Sequence, residues 1–268
     1  MCELFCMSSR LPTVATFTLD RFAARGGLDG RTIDGWGLAF YDGTDLRLYR
    51  EPEPARDSLW LQYVGRRHLP ARILLSHVRH ATRGAVTLAN TQPFAREVGG
   101  RMHCFAHNGR LEELGPEQAR ALRRYHPLGD TDSELAACIL FERMAALWER
   151  NGPPSLAQRT AEFGTFATEM RRLGPANFLY SDGITLFAHG HRRTQADGRI
   201  APPGLWQLQR HCAIDPDAAG VSGVRLDSAA GTQDIVLVAS VPLTDEDWQP
   251  LAEGQALVIE QGTLVTRI

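Results

Sequence analysis

The sequence predicts a layered α+β domain, and three observations favour it. Short stretches of alternating apolar and polar residues, bounded by glycine and aspartate, occur towards both ends of the chain. The strongest helical patterns lie between them, at about 131–151 and 155–173. Strands followed by helices and then by strands again are typical of layered α+β domains rather than of doubly wound βαβ sheets.

In the first part of the chain, the sequence pattern predicts four strands and one helix. The predicted strands are Gly37–Tyr41, Leu46–Tyr49, Ile73–His77 and Met102–Ala106. The segment Asp57–Arg67 is amphipathic at helical spacing and therefore predicts a helix.

The middle of the chain predicts two longer helices. Apolar residues recur at helical spacing over Thr131–Asn151, and Thr131 with Glu134 fits a capping box at its start. A second helix is predicted over Ser155–Leu173, after two prolines.

The last third of the chain again predicts strands. Two apolar stretches, Ala176–Tyr180 and Ile184–Ala188, flank a Ser-Asp-Gly turn and predict a hairpin. The remaining predicted strands are Ile235–Ser240, Ala256–Glu260 and Thr263–Ile268. We expect a long loop at Pro202–Gly231 and, because repeats and convincing linkers are absent, a single domain over 2–268.

Composition excludes several classes of function. The 268 residues include 29 basic and 31 acidic side chains, a net charge of −2 that gives no footprint for nucleic acid or for an anionic membrane. Every basic residue is arginine, which excludes a lysine Schiff base and a Walker-type lysine. The five scattered cysteines form no disulfide framework, and no apolar run could span a bilayer. These features predict a cytoplasmic protein with free thiols.

Cys2 combines a nucleophile with a base, provided that Met1 is removed, as is usual before a small second residue. Its α-amine would then have a pKa of about 7.7–8.0 and accept a proton near neutral pH. Its thiol, with a pKa of about 8.5, is a strong nucleophile once deprotonated. One residue then supplies both functions, as in N-terminal nucleophile hydrolases. The alternative is an incidental small residue after the start codon.

Four further segments carry polar groups suited to a small zwitterionic substrate. Arg79 ends a predicted strand, and its planar fork suits a carboxylate. Asn108 and Gly109 end another strand and offer a side-chain amide beside a backbone N–H, as an oxyanion hole requires. Asp132 lies at a helix start and can meet an ammonium group, while Asn90–Phe94 is a polar turn with a proline. The alternatives are a surface arginine, a hairpin turn and a helix cap.

Taken together, seven segments resemble the class II glutamine amidotransferase domain. They are MCELFCM, DGWGLAF, SHVRHAT, LANTQPF, FAHNG, GDTDSE and PLTDEDW, in that order from Cys2 to about Gly254. The resemblance is greatest to a stand-alone bacterial branch that is similar to γ-glutamyl hydrolases of ergothioneine biosynthesis and glutathione degradation. It implies the four-layer αββα sandwich of N-terminal nucleophile hydrolases, a small γ-glutamyl substrate, and no cofactor or metal.

The resemblance also implies a role for each site residue. The catalytic residues are Cys2 as nucleophile, with Asn108 and Gly109 as the oxyanion pair. Arg79, with Thr82 beside it, would hold the substrate α-carboxylate, and Asp132 would hold the α-ammonium.

The chain departs from the family pattern at two places. The family usually has glycine where this chain has Cys6, which predicts a slightly different turn after the first strand. The branch often has a histidine shortly before Asp34, where this chain has Arg31–Ile33. For His80 and His107 we favour hydrogen bonding around the site over metal binding.

Several functions remain open at this stage. The enzyme either hydrolyses a γ-glutamyl amide as its whole activity or supplies ammonia to a separate synthase. A catalytically silent, regulatory module with the same fold would be expected to show damage in the catalytic or substrate-binding residues, all of which are intact. A thiol-redox or metal protein would use Cys2 and Cys6 and would contain a disulfide or zinc.

Overall fold

Two antiparallel sheets dominate the computed structural model, which describes residues 2–14, 34–81, 84–148, 153–214, 225–226 and 231–268. The strands, in chain order, are β1 (Glu3–Val14), β2 (Gly35–Asp42), β3 (Asp45–Glu51), β4 (Ala71–Arg79), β5 (Phe94–Val98), β6 (Arg101–Gly109), β7 (Ala176–Ser181), β8 (Thr185–Gly190), β9 (Arg193–Thr194), β10 (Ile200–Ala201), β11 (Trp206–Ile214), β12 (Arg225–Leu226), β13 (Gly231–Ala239), β14 (Gln249–Pro250), β15 (Gln255–Glu260) and β16 (Thr263–Arg267). The first sheet has the order β14-β11-β13-β1-β4-β2-β3, with β12 beside β1. The second has the order β16-β15-β8-β7-β6-β5, and β9 pairs with β10 separately.

Four α-helices are described. They are α1 (Leu59–Arg67), α2 (Pro116–Ala121), α3 (Asp132–Trp148) and α4 (Leu156–Leu173), and short 3-10 turns lie at Ala55–Asp57 and Leu88–Asn90. Ser58 caps α1 by accepting a hydrogen bond from the Leu61 N–H, and Ser155 with Gln158 forms a capping box on α4. The three helices predicted from the sequence are confirmed, although the first begins two residues later than predicted.

Three apolar clusters define the layers. Helix α1 packs on the outer face of the first sheet through residues such as Val64 and Leu74. The inner faces of the two sheets meet through residues such as Leu75 and Ala106. On the outer face of the second sheet, α3 and α4 contribute a third cluster that includes Phe166. This order of helix, sheet, sheet and helices confirms the four-layer αββα architecture.

The long loop predicted at Pro202–Gly231 is wrong over Trp206–Ile214. That segment forms β11 and pairs with β13 along its whole length, from Trp206 opposite Ala239 to Ile214 opposite Gly231. The alternation Trp-Gln-Leu-Gln is a strand signal, but the flanking prolines, glycines and aspartates outweighed it. The rest of the predicted loop lies largely outside the described residues.

The predicted change of turn at Cys6 is also wrong. Cys6 lies inside β1, where it pairs with Val238 on one side and Leu75 on the other, and it is completely buried. The strand continues from there to Val14, so no turn follows Cys6. The second departure, at Arg31–Ile33, lies outside the described residues.

Candidate active site

Four of the site residues predicted from the sequence lie at one end of the layer between the sheets: Cys2, Arg79, Asn108 and Gly109. Strand β1 begins there, and its antiparallel neighbours β4 and β13 end there. Cys2 therefore lies beside the end of β4, which carries Arg79. In the facing sheet, β6 ends at the same place with Asn108 and Gly109.

Cys2 is half-buried, and its sulfur contacts the backbone that follows β4. The His80 N–H donates to Cys2 Sγ at 3.2 Å, and the thiol lies 3.5 Å from the His80 carbonyl oxygen. Burial raises the pKa of the Cys2 thiol, and the bond from the His80 amide opposes that rise. The thiol is consequently protonated at neutral pH, so nucleophilic attack requires a base that removes its proton.

Asn108 is buried beside Cys2, with its amide nitrogen turned towards the Cys2 backbone. Asn108 Nδ2 donates to the Cys2 carbonyl oxygen at 2.7 Å and to Ser240 Oγ at 3.3 Å. From β7, Asn177 Nδ2 donates to the Asn108 carbonyl oxygen at 2.8 Å. The side-chain amide thus presents donor hydrogens rather than its oxygen to the surroundings of Cys2, as an oxyanion-binding group must.

Gly109 occupies a position that no other residue fits. A Cβ there would lie 1.8 Å from the Pro175 carbonyl oxygen, a backbone atom that cannot move aside cheaply. Arg110 N–H donates to that same oxygen at 3.0 Å, whereas the His107 N–H points the other way, to Gln92 Oε1 at 2.6 Å. Because N–H directions alternate along an antiparallel strand, the Gly109 N–H points away from β7, on the side of Gln92.

Arg79 is buried and reaches towards the start of α3. Its Nη2 donates to the Gly84 carbonyl oxygen at 3.2 Å. Gly84 in turn lies against the loop before α3, since a Cβ at this position would be 2.7 Å from Asp130 Oδ1. Asn90 Nδ2 donates to the same Asp130 oxygen at 2.6 Å and ties the two loops together. Thr82, predicted to lie beside Arg79 in the site, is outside the described residues.

Asp132 is the first residue of α3, and backbone N–H groups fix its carboxylate. Oδ2 accepts from the Leu111 N–H at 2.7 Å, and Oδ1 accepts from the Ser133 N–H at 3.0 Å. Leu111 follows Gly109 by two residues, so this bond joins the helix start to the strand that carries Asn108 and Gly109. Each carboxylate oxygen has a second lone pair, which leaves room for an ammonium group.

The His107 ring forms a hydrogen bond, as predicted, whereas the His80 ring lies near a carboxylate but beyond hydrogen-bond distance of it. His107 Nδ1 lies 2.9 Å from Ser133 Oγ, and burial lowers the pKa of this ring. His80 Nδ1 lies 3.7 Å from the Asp34 carboxylate. Across the described ranges, histidine, cysteine and acidic side chains nowhere form a group of three or more that could hold a metal ion. Nor does any helix in those ranges have the length and apolarity needed to cross a membrane.

A disulfide between Cys2 and Cys6 does not form. Both lie in or next to β1, four residues apart, which separates their Cα atoms by about 13 Å at the rise of an extended strand. Disulfides require Cα atoms closer than about 7 Å. Both thiols are free.

Three polar residues around the site were missed or left without a role by the sequence reasoning. Ser240 and Asn177 hold Asn108, and the Gln92 side-chain amide pairs with the backbone of His107 in the manner of a short strand. Ser240 ends an apolar run and Asn177 lies inside one, and a polar residue at such a position is the signal that could have identified them.

Comparison with known proteins places the whole chain in one family. The family model for class-II glutamine amidotransferases matches residues 1–268. The chain is 34% identical over 259 residues to the Escherichia coli protein named "Putative glutamine amidotransferase YafJ", covering 95% of this chain and 96% of that one.

Solved structures agree with this assignment. A Pseudomonas aeruginosa protein described as a "predicted glutamine amidotransferase" superposes with a TM-score of 0.69 and 27% identity, covering 99% of this chain and 100% of that one. The glutamine phosphoribosylpyrophosphate amidotransferase of B. subtilis shares the fold, with a TM-score of 0.61 at 16% identity, and this chain covers 49% of it. The chain therefore belongs to the class II glutamine amidotransferases.

Proposed function

We propose that the protein cleaves the γ-amide bond of glutamine or of another γ-glutamyl amide through a thioester on Cys2. The observation that most supports this proposal is the 2.7 Å hydrogen bond from Asn108 Nδ2 to the Cys2 carbonyl oxygen, because an amide N–H donor then lies beside the residue proposed as the nucleophile. The names of the relatives, which are glutamine amidotransferases, support glutamine as one substrate.

The proposed reaction needs only groups of this chain and water. After removal of Met1, the Cys2 α-amine takes the thiol proton, and the sulfur attacks the γ-carbonyl carbon. Asn108 Nδ2, which gives up its bond to the Cys2 carbonyl oxygen and keeps the one to Ser240 Oγ, would stabilise the negative oxygen of the tetrahedral intermediate together with the Gly109 N–H. The C–N bond then breaks, and the α-amine returns the proton to the departing ammonia or amine. Water hydrolyses the thioester by the same route, which releases glutamate and restores the thiol.

Recognition of the glutamyl group is assigned to the charged residues on the β4 side of Cys2. Arg79 would hold the α-carboxylate through its planar fork, with Thr82 beside it, and Asp132 would hold the α-ammonium. The proposal is supported by the connection from Arg79 through Gly84 to the loop at Asp130, which leads into the helix that begins with Asp132.

The test is an assay of the purified protein, with Met1 removal verified by intact mass. Glutamine and a panel of γ-glutamyl amides are incubated with the enzyme, and glutamate and released amine are quantified together. We expect equal amounts of the two products from at least one substrate, and none with Cys2→Ala. Failure of every substrate with a folded, processed protein would contradict the proposal. Glutamine turnover that requires a second protein would instead favour supply of ammonia to a synthase.

Processing itself tests the role of the amine. Mature protein should begin at Cys2, because only a free α-amine can accept the thiol proton near neutral pH. Protein that retains Met1 in full and still turns over substrate at the normal rate would contradict the amine as base. The measurement compares intact mass with the rate on the same sample.

A further inference from the structure

We propose that Ser240 is a positioning residue that fixes the orientation of the Asn108 side-chain amide, an inference that rests on the proposed function. Ser240 follows directly after β13 on the side of β1 opposite to β4, and it is buried. Its hydroxyl accepts hydrogen bonds from two groups of the site's framework. These are the Leu4 N–H at 2.9 Å and Asn108 Nδ2 at 3.3 Å.

The position of the Ser240 oxygen is itself fixed by the backbone. The Ser240 N–H donates to the Leu4 carbonyl oxygen at 3.0 Å, so backbone and side chain of Ser240 both bind Leu4. The Ser240 carbonyl oxygen accepts a hydrogen bond from the buried Arg193 guanidinium, which also donates to Glu3 Oε1 at 2.9 Å. Ser240 is therefore tied to the two residues that immediately follow Cys2.

The orientation of Asn108 matters because the two ends of its amide have opposite character. Nδ2 carries two donor hydrogens, whereas Oδ1 can only accept. The two acceptors, Cys2 O and Ser240 Oγ, favour the orientation that turns Nδ2 towards the nucleophile. A flipped amide would present Oδ1 to the oxyanion and repel it. Removing the Ser240 hydroxyl weakens the preference for the orientation in which Nδ2 faces Cys2. A smaller fraction of the enzyme then has Asn108 oriented to bind the oxyanion.

This role predicts a defect in turnover rather than in substrate binding. Ser240→Ala should lower kcat about 3- to 10-fold, the value of one neutral hydrogen bond, with KM within about twofold of the wild type. Ser240→Cys keeps the shape of the side chain but replaces the oxygen by a larger sulfur that is only a weak acceptor, so it should shift kcat in the same direction. If loss of the bond to Leu4 lowers the yield of folded Ser240→Ala, Ser240→Cys serves as the second variant.

Ser8→Ala is a matched control. Ser8 lies on the same face of β1 as Leu4, is completely buried, and its hydroxyl likewise accepts a backbone hydrogen bond, from the Gly262 N–H at 3.1 Å. It lies about 20 Å along the strand from Cys2, at about 3.3 Å per residue. Ser8→Ala should lower the melting temperature by about as much as Ser240→Ala does, and it should leave kcat unchanged.

The deciding measurement is a double-mutant cycle with Asn108→Ala. If Ser240 acts through Asn108, Ser240→Ala should change kcat by less than about twofold in the Asn108→Ala background. An unchanged kcat in Ser240→Ala and Ser240→Cys, or an equal loss with and without Asn108, would overturn the inference while leaving the proposed function intact. If Asn108→Ala itself keeps full kcat, the oxyanion assignment fails and the inference falls with it.

Discussion

Cys2 and Cys6 are four residues apart in sequence, yet only Cys2 is partly exposed to solvent. Cys6 is completely buried between the sheets, and burial raises the pKa of its thiol far above the ordinary value. Burial also raises the pKa of the Cys2 thiol, but Cys2 is half-buried at the start of β1 and accepts a hydrogen bond from the His80 N–H. The difference lies in position along the strand, not in residue type.

The layer between the sheets likewise has a buried apolar middle and a polar end. Along β4 the inner face changes from Leu75 to His77 and Arg79, and along β6 it changes from Ala106 to Asn108. The apolar middle holds the strands at fixed distances, and the polar end uses that rigidity to fix donors and charges. Preorganised donors of this kind are what stabilises a developing negative charge.

The largest expected effect is a loss of turnover on substitution of Cys2 but not of Cys6. Cys2→Ala should abolish turnover, because the attacking sulfur is lost, while the fold remains intact. Cys6→Ala should keep kcat and lower the free energy of unfolding by about 1–2 kcal/mol, because it leaves a small cavity. Glutamate release and urea unfolding measure the two effects. A diazo-oxo-norleucine label found on Cys6 rather than on Cys2 would reverse the comparison.

The next largest effect concerns the oxyanion donor. Asn108→Ala should reduce kcat by roughly 10²–10³, the usual loss for one oxyanion donor, with a small change in KM. Steady-state kinetics on a variant with an unchanged melting temperature provide the test. A loss confined to KM would indicate that Asn108 binds the ground state instead.

A smaller effect is expected at the charged side of the site. Arg79 and Asp132 would pair with the two charges of a free glutamyl α-carbon, so blocking either charge leaves its partner unpaired at about 1–3 kcal/mol. The enzyme should therefore tolerate changes in the leaving amine better than N-acetylation or α-amidation. Matched pairs of free and α-blocked γ-glutamyl anilides measure the difference in kcat/KM. Equal values would remove both residues from substrate recognition.

Arg79→Lys adds an internal comparison to the same assay. A lysine ammonium is a point charge and cannot replace the planar fork of arginine, so kcat/KM for the free substrate should fall markedly. The penalty for α-amidation should shrink in this variant, since less of the pairing with the carboxylate remains to be lost. A penalty that stays the same size would show that Arg79 does not contact this group.

In the described part of the chain, local periodicity predicted nine of the sixteen strands and three of the four α-helices, but not β1 or β5. Ile73–His77 and the helix over Ser155–Leu173 have strong patterns with clear ends, and the structure contains both. β11 was missed because its evidence is long-range. Its alternation is weak, prolines precede it, and its pairing with β13 is invisible in the local sequence. The contacts of Glu134 are likewise not visible in the local sequence. Its carboxylate accepts hydrogen bonds from the Gly129 N–H and from Arg96.

The sequence predicted the chemically important side chains of the site, but not the residues that hold them in position. Cys2, Arg79, Asn108 and Asp132 belong to segments with recognisable chemistry, although their roles stay predictions. Ser240 was predicted only as the end of a strand, because its importance arises from a contact with a residue 132 positions away. Contacts between distant strands depend on the packing of two sheets, which no local pattern records.

The smallest expected effect tests the border between the apolar middle and the polar end. His77 lies on that border, completely buried, and burial lowers its pKa to about 3. The unfolded chain binds this proton at its ordinary pKa of about 6.5, so between these values it holds more protons than the folded protein. The contribution to stability is thus complete above about pH 6.5 and is lost progressively as the pH falls towards 3.

At pH 5.5, one unit below the pKa in the unfolded chain, this loss is on the order of 1 kcal/mol for His77. Urea unfolding at pH 7.5 and at pH 5.5 should show the decrease, to which His103, with a pKa lowered to about 4, also contributes. His77→Gln removes the titrating group and should reduce the difference between the two pH values by about 1 kcal/mol. The exposed His126→Gln is the control and should leave the difference unchanged. If His77→Gln behaves like the control, His77 is protonated or solvated at pH 5.5, and the polar end extends further into the layer than its burial indicates.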